Sequence, residues 1–136
     1  MVNMKTILVI EDNDEIRENT AELLLLNNYN VLTAENGNKG FELAKSSKPD
    51  LIICDMMMPE SDGSTFLKLA KEEKSLEHVP IIFFSAGTLP VTEQNNLTRL
   101  GNGFLKKPFL EKDLLGSIQD VLGQKDGHHT LFAHNS

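Results

Sequence analysis

Leu51-Ile52-Ile53-Cys54-Asp55 is an apolar run closed by a carboxylate, and Met56-Met57-Met58-Pro59 follows it directly. A short, continuous, β-branched run of this kind reads as a strand covered on both faces, as in parallel sheets. Asp55 then stands at the sheet's rim, partly desolvated, where an unpaired charge is costly. Three other segments have the same form: Ile7-Leu8-Val9-Ile10 before Glu11-Asp12, Ile81-Ile82-Phe83-Phe84 before Ser85, and Phe104-Leu105 before Lys106-Lys107-Pro108. Acid, acid, hydroxyl and ammonium recur at corresponding strand ends.

Helical patterns lie between these runs. Asn13 or Asp14 can cap a helix that carries Ile16, Thr20, Leu23 and Leu24 at helical spacing and ends at Asn27-Asn28. Residues 29–34 form a weaker second strand, and Asn36-Gly37 opens a helix with Phe41, Leu43 and Ala44 on its apolar face. Lys48-Pro49-Asp50 breaks that helix, because proline cannot continue it and drives its predecessor out of the helical region. A loop over 58–63 precedes a helix through Phe66, Leu67, Leu69 and Ala70, and Val79-Pro80 leads into the fourth strand. Pro90 suits the first turn of a fourth helix that runs to about Leu100. A short fifth strand over 104–106 is followed by a last helix from near Leu110, with Leu114, Leu115, Ile118, Val121 and Leu122 on one face.

Five strands alternating with five helices imply an α/β fold with a parallel sheet covered on both sides. Right-handed crossovers bring every strand's carboxyl end to one edge, and open sheets of this kind bind ligands in the crevice there. Topology therefore gathers the polar strand ends. The second strand ends in Ala34-Glu35-Asn36 and adds no partner, as suits an edge strand.

A chain of 136 residues fits one domain, assigned to 1–123, with 124–136 as a flexible C-terminal tail. His128, His129 and His134 fall in that tail, among Gly, Thr and Asn, and read as linker rather than metal site. The net charge of -7 argues against sequence-independent binding to nucleic acid or an anionic membrane. Cys54, a single cysteine, has no internal disulfide partner and reads as a small buried hydrophobe. No stretch is apolar for long enough to span a bilayer, and the N-terminus lacks the apolar region of a secretory signal, so the expectation is a cytoplasmic protein.

Glu11, Asp12 and Asp55 in one crevice repel one another if all are ionised, so one takes up a proton or a cation binds. Oxygen ligands, few in number and shared with water, suit Mg2+ (with Mn2+ as the alternative ion) better than zinc. Lys107 adds an ammonium and Ser85 a neutral donor. A divalent cation, an ammonium, a hydroxyl and a protruding carboxylate are equipped to stabilise the equatorial oxygens of a phosphoryl group, with Asp55 as the nucleophile that becomes an aspartyl phosphate. Each residue taken singly has a plainer reading: Glu11-Asp12 as a capping loop, Lys106-Lys107 as a solvated pair, Phe104 as core. Their joint placement at strand ends favours a functional site.

The ordered set Glu11-Asp12, Asp55, Ser85-Ala86 and Lys107-Pro108-Phe109, with Pro59 and Gly63 after the aspartate, resembles a response-regulator receiver domain over roughly residues 4–123. The resemblance implies a flavodoxin-like (βα)5 fold, a doubly wound sheet in the order 2-1-3-4-5. It also implies that Asp55 is the phosphoacceptor, receiving its phosphoryl group from a phosphohistidine of a sensor histidine kinase or phosphotransfer protein in two-component signalling or a phosphorelay. Asp12, Asp55 and the backbone carbonyl of Met57 would hold Mg2+, with Glu11 acting through water. Ser85, Lys107 and the backbone N–H of Ala86 would bind the phosphate, and Ser85 and Phe104 would move together as the switch. The resemblance also implies that Met57 and Gly87 would flank the line of water attack; neither side chain can hold that water, so slow to moderate self-dephosphorylation is expected.

On this reading the chain is not an enzyme beyond its own autophosphorylation and autodephosphorylation chemistry. About a dozen residues follow the last helix, which points to a module without its own output domain. It would dock a downstream protein on the face of the fourth helix, fifth strand and fifth helix, as a monomer or a phosphorylation-dependent dimer. One alternative is the receiver portion of a longer regulator, with a DNA-binding output or a hybrid kinase. A more distant one is an aspartate-nucleophile phosphatase, which needs a general acid where Met57 stands.

Overall fold

Continuous apolar strands with β-branched side chains form the middle of this protein because helices shield both of their faces. The computed structural model describes residues 4–56, 63–85, 92, 95, 103–106 and 109–126. Strands β1 (Thr6–Ile10), β2 (Asn30–Ala34), β3 (Leu51–Asp55), β4 (Ile81–Ser85) and β5 (Gly103–Lys106) build one sheet, ordered β2-β1-β3-β4-β5. Every pairing is parallel. This is the doubly wound, flavodoxin-like arrangement expected from the sequence, with β2 at an edge.

The described helices are α1 (Asp14–Leu26), α2 (Gly37–Ser47), α3 (Gly63–Glu72) and α4 (Glu111–Asp126). The helix expected over about 90–100 lies outside the described residues except at Thr92 and Asn95. Helix α4 continues to Asp126, into the stretch that the sequence assigns to the tail.

Caps set the helix boundaries. The Asn13 side chain accepts a hydrogen bond from the Ile16 N–H at 2.9 Å, and that of Asn36 accepts from the Lys39 N–H at 2.8 Å. Each satisfies a backbone donor that the first turn leaves open. Helix α2 ends where Lys48, ahead of Pro49, turns to a left-handed backbone with φ of 50°. Asp50 then pins β3 to β1: its carboxylate accepts from the Thr6 N–H at 2.8 Å, and its own N–H donates to the Thr6 carbonyl at 2.8 Å.

Strand alternation splits the core in two. Leu8, Ile10, Ile52, Cys54, Ile81 and Phe83 pack with Ala44 of α2 and with Phe66 and Ala70 of α3. Ile7, Val9, Leu51, Ile53, Ile82 and Phe84 pack with Leu24 of α1 and with Leu114 and Ile118 of α4. The register levels the strand ends: Ile10 lies opposite Ala34 and Cys54, Asp55 opposite Phe84, and Ser85 opposite Lys106. The residues that leave β1 and close β3 therefore stand side by side.

Candidate functional site

Glu11 leaves β1 at the carboxyl edge of the sheet and is fully buried. Its N–H donates to the Ala34 carbonyl at 3.0 Å, which extends the β1–β2 ladder by one step. Its carboxylate accepts from the Asn13 N–H at 3.1 Å, and its carbonyl accepts from Arg17 Nη1 at 2.9 Å. Asp12 follows on a bend and is exposed.

Asp55 closes β3 and is 4% exposed. The ladder continues past it, since the Met56 N–H donates to the Phe84 carbonyl at 2.9 Å. The Cys54 Sγ donates to the Asp55 carbonyl at 3.4 Å, and Cys54 belongs to the core cluster shared with α2 and α3.

One carboxylate oxygen from each of Glu11, Asp12 and Asp55 lies within 4.8 Å of the other two. Two ionised carboxylates at that separation repel by roughly 3 kcal/mol at an effective dielectric of about 20. Two of the three are shielded from water, so bulk solvent relieves little of this. The donor set contains oxygen and no sulfur or nitrogen, and the exposed Asp12 opens it to solvent. These features fit a hard divalent cation that keeps part of its water shell, as Mg2+ does.

The edge strand contributes elsewhere, as expected. Glu35 accepts a hydrogen bond from Lys39 Nζ, and this bond and the ammonium's charge hold its carboxyl below the ordinary glutamate range.

Ser85 ends β4 one step beyond Phe84, the neighbour of Asp55, so its backbone is at the same edge. Its side chain, and Met57, Ala86, Gly87 and Lys107 as a whole, lie outside the described residues. Phe104 lies opposite Phe83 and packs, half-buried, against the cluster that contains Cys54 and Met56. The neighbourhood of Asp55 and the ring assigned to the switch thus share one apolar layer.

Two contacts escape a reading of the sequence. Phe109 meets Phe84 edge-to-face, with centroids 5.6 Å apart at 86°, and ties the chain after β5 to the strand beside Asp55. Arg17 reaches back six residues to the Glu11 carbonyl. A basic residue one turn after a helix cap hints at such a contact, but many such residues face solvent.

Comparison with known proteins bears on what this edge does. The family model described as a response regulator receiver domain matches residues 7–119. Histidine kinase P4 of Formosa agariphila is 32% identical over 117 residues, which cover 86% of this chain but 8% of the kinase. The polar-differentiation response regulator DivK of Brucella anthropi is 26% identical over 119 residues, covering 88% of this chain and 97% of DivK. The structure of the chemotaxis protein CheY4 of Vibrio cholerae superposes with a TM-score of 0.80 at 30% identity, over 88% of this chain and 99% of CheY4. The chain thus spans less than a tenth of the kinase and nearly the full length of the two single-module relatives.

Proposed function

This chain belongs to the response regulator receiver domains of two-component signalling, and from that premise we propose that Asp55 accepts a phosphoryl group and that this modification switches partner binding. The carboxylate of Asp55 attacks phosphorus, the P–N bond of a phosphohistidine breaks, and a P–O bond forms. The leaving imidazole retains the bonding electron pair and takes up a proton. The donor is a histidine kinase or a phosphotransfer protein.

Asp12, Asp55 and the Met57 carbonyl would hold Mg2+, with Glu11 one water removed. When bound, the ion supplies the positive charge that lets a phosphoryl oxygen approach three carboxylates. Lys107, the Ser85 hydroxyl and the Ala86 N–H are assigned to the remaining phosphoryl oxygens. Ser85 and Phe104 carry the change outward, Ser85 by moving toward the phosphate and Phe104 by turning into the vacated space. The chain then acts as a switch with no external substrate to turn over beyond its phosphodonor.

The single observation that carries this reading is the convergence of Glu11, Asp12 and Asp55 within 4.8 Å at the carboxyl edge of the sheet. The output face would combine the segment over about 90–100, β5 and α4. Lys106, Phe109, Lys112 and Asp120 line an open groove between β5 and α4, which supports a protein partner on that face. The net charge of -7 argues against nucleic acid as that partner. Among the described residues no helix is long and apolar enough to cross a membrane, which accords with action in the cytoplasm.

A second reading, the same receiver serving as one module of a longer kinase or DNA-binding regulator, is favoured by the match to 8% of a histidine kinase.

The test is incubation with Mg2+ and acetyl phosphate, read by intact mass. The wild type gains one phosphoryl group, and neither Asp55→Asn nor a sample with excess chelator does. A folded wild type that gains nothing overturns the reading.

A further inference from the structure

Arg17 is 16% exposed, whereas its ion-pair partner Asp14 is 79% exposed. One arm of its guanidinium, Nη2, meets the Asp14 carboxylate at 2.5 Å. The other, Nη1, leaves the helix surface and donates to the Glu11 carbonyl at 2.9 Å. That carbonyl belongs to the peptide unit joining Glu11 to Asp12, so the bond restrains the plane from which the Asp12 side chain departs. Asp12 is the exposed member of the acidic cluster and sits on a bend, where the backbone has no ladder to hold it. On the other side of the same peptide, the Glu11 N–H is held by Ala34 and its carboxylate by the Asn13 N–H.

We infer that Arg17 is a positioning residue for the cation site: its forked guanidinium locks the Glu11–Asp12 peptide to α1 so that the Asp12 carboxylate is already aimed at Asp55. This rests on the reading of the acidic cluster as a Mg2+ site.

Two plainer roles give different signs. If Arg17 acted by charge, its cation would oppose a divalent ion nearby, and removing it would tighten Mg2+ binding. If it merely supported α1, its loss would lower stability and leave the Mg2+ affinity of the folded protein unchanged. Positioning predicts weaker binding in the folded protein, and predicts it even when the charge is kept. Lysine retains the charge but is a single point with no planar fork, so it cannot serve the carbonyl and Asp14 in the same geometry.

The experiment compares wild type, Arg17→Gln and Arg17→Lys by Mg2+ titration of backbone amide NMR shifts, without phosphodonor. In parallel, the rate of phosphorylation by acetyl phosphate is followed against Mg2+ concentration. Removing a residue that orients a metal ligand typically weakens affinity by roughly tenfold or more. Both variants are expected to show that loss in the titration. The Mg2+ concentration for half-maximal rate should rise in step, and the rate at saturating Mg2+ should fall much less.

Unchanged or tighter Mg2+ binding in either folded variant overturns the positioning role while leaving the phosphoacceptor reading intact. A wild type that neither binds Mg2+ nor gains phosphate removes both. Should Arg17→Gln fail to fold, Arg17→Lys, which keeps charge and most of the bulk, decides the matter.

Discussion

Glu11 and Asp55 are 0% and 4% exposed, and burying a carboxylate so far from water is costly unless neighbouring groups answer its charge. Around Glu11 those groups are visible: the Asn13 N–H on its carboxylate and the Arg17 guanidinium on its own backbone carbonyl. The acids themselves were legible as residues that terminate buried strands. Arg17 was not, because a basic residue in the second turn of an amphipathic helix carries no local mark of where its side chain goes. The lifetime of the modified state also belongs to single residues. On the proposed reading, the positions of Met57 and Gly87 in the sequence would flank the line of water attack, and neither residue type has a polar side chain, so a phosphoryl group on Asp55 is expected to be lost slowly to moderately. Loss of phosphoryl mass after removal of the donor measures this, and a half-life of only a few seconds would contradict it. Met57→Asn, which adds an amide able to hold water, should shorten the lifetime several-fold.

Helix docking is governed by how closely a backbone can approach the sheet, and two glycines show opposite cases. A Cβ at Gly40 of α2 would stand 2.4 Å from Ile10 Cδ1 and 2.7 Å from Cγ1. Ile10 is fully buried and directly precedes Glu11, so it has no free space to retreat into. Gly40→Ala is therefore expected to destabilise the protein by roughly 1–3 kcal/mol, outweighing the roughly 0.5–1 kcal/mol that alanine gains in a helix. At Gly116 of α4 an added Cβ meets nothing within 4 Å. Gly116→Ala should stabilise by roughly 0.5–1 kcal/mol. Urea unfolding of both variants checks the pair, and shifts of the same sign would refute this account of α2 docking. Neither outcome is readable from sequence, where both glycines simply interrupt a helical pattern. The helices themselves were readable: Asn13 and Asn36 cap α1 and α2 as their side chains suggest, and Pro49 stops α2.

Across the whole molecule the acidic edge is tied to stability. One oxygen from each of three carboxylates lies within 4.8 Å of the others in the folded state, and the unfolded chain separates them. A cation that binds the assembled edge must therefore stabilise the fold by mass action, by about 2.7 kcal/mol at a Mg2+ concentration a hundredfold above its dissociation constant. Thermal or urea unfolding should shift upward with Mg2+ in the wild type and far less in Asp12→Ala, and a wild type insensitive to Mg2+ would count against the site. By itself the sequence determined the alternation of strands and helices, the two-sided burial of β1, β3 and β4, and the polar residues at their carboxyl ends. Those properties are written in periodicities a few residues long. Tertiary structure decided the rest: which oxygens converge, that Arg17 grips the Glu11 carbonyl, and that Gly40 must leave room for Ile10. Such contacts depend on sheet register and helix docking, which join residues tens of positions apart, as Asp55 is from Glu11, and on side-chain reach that no local pattern encodes.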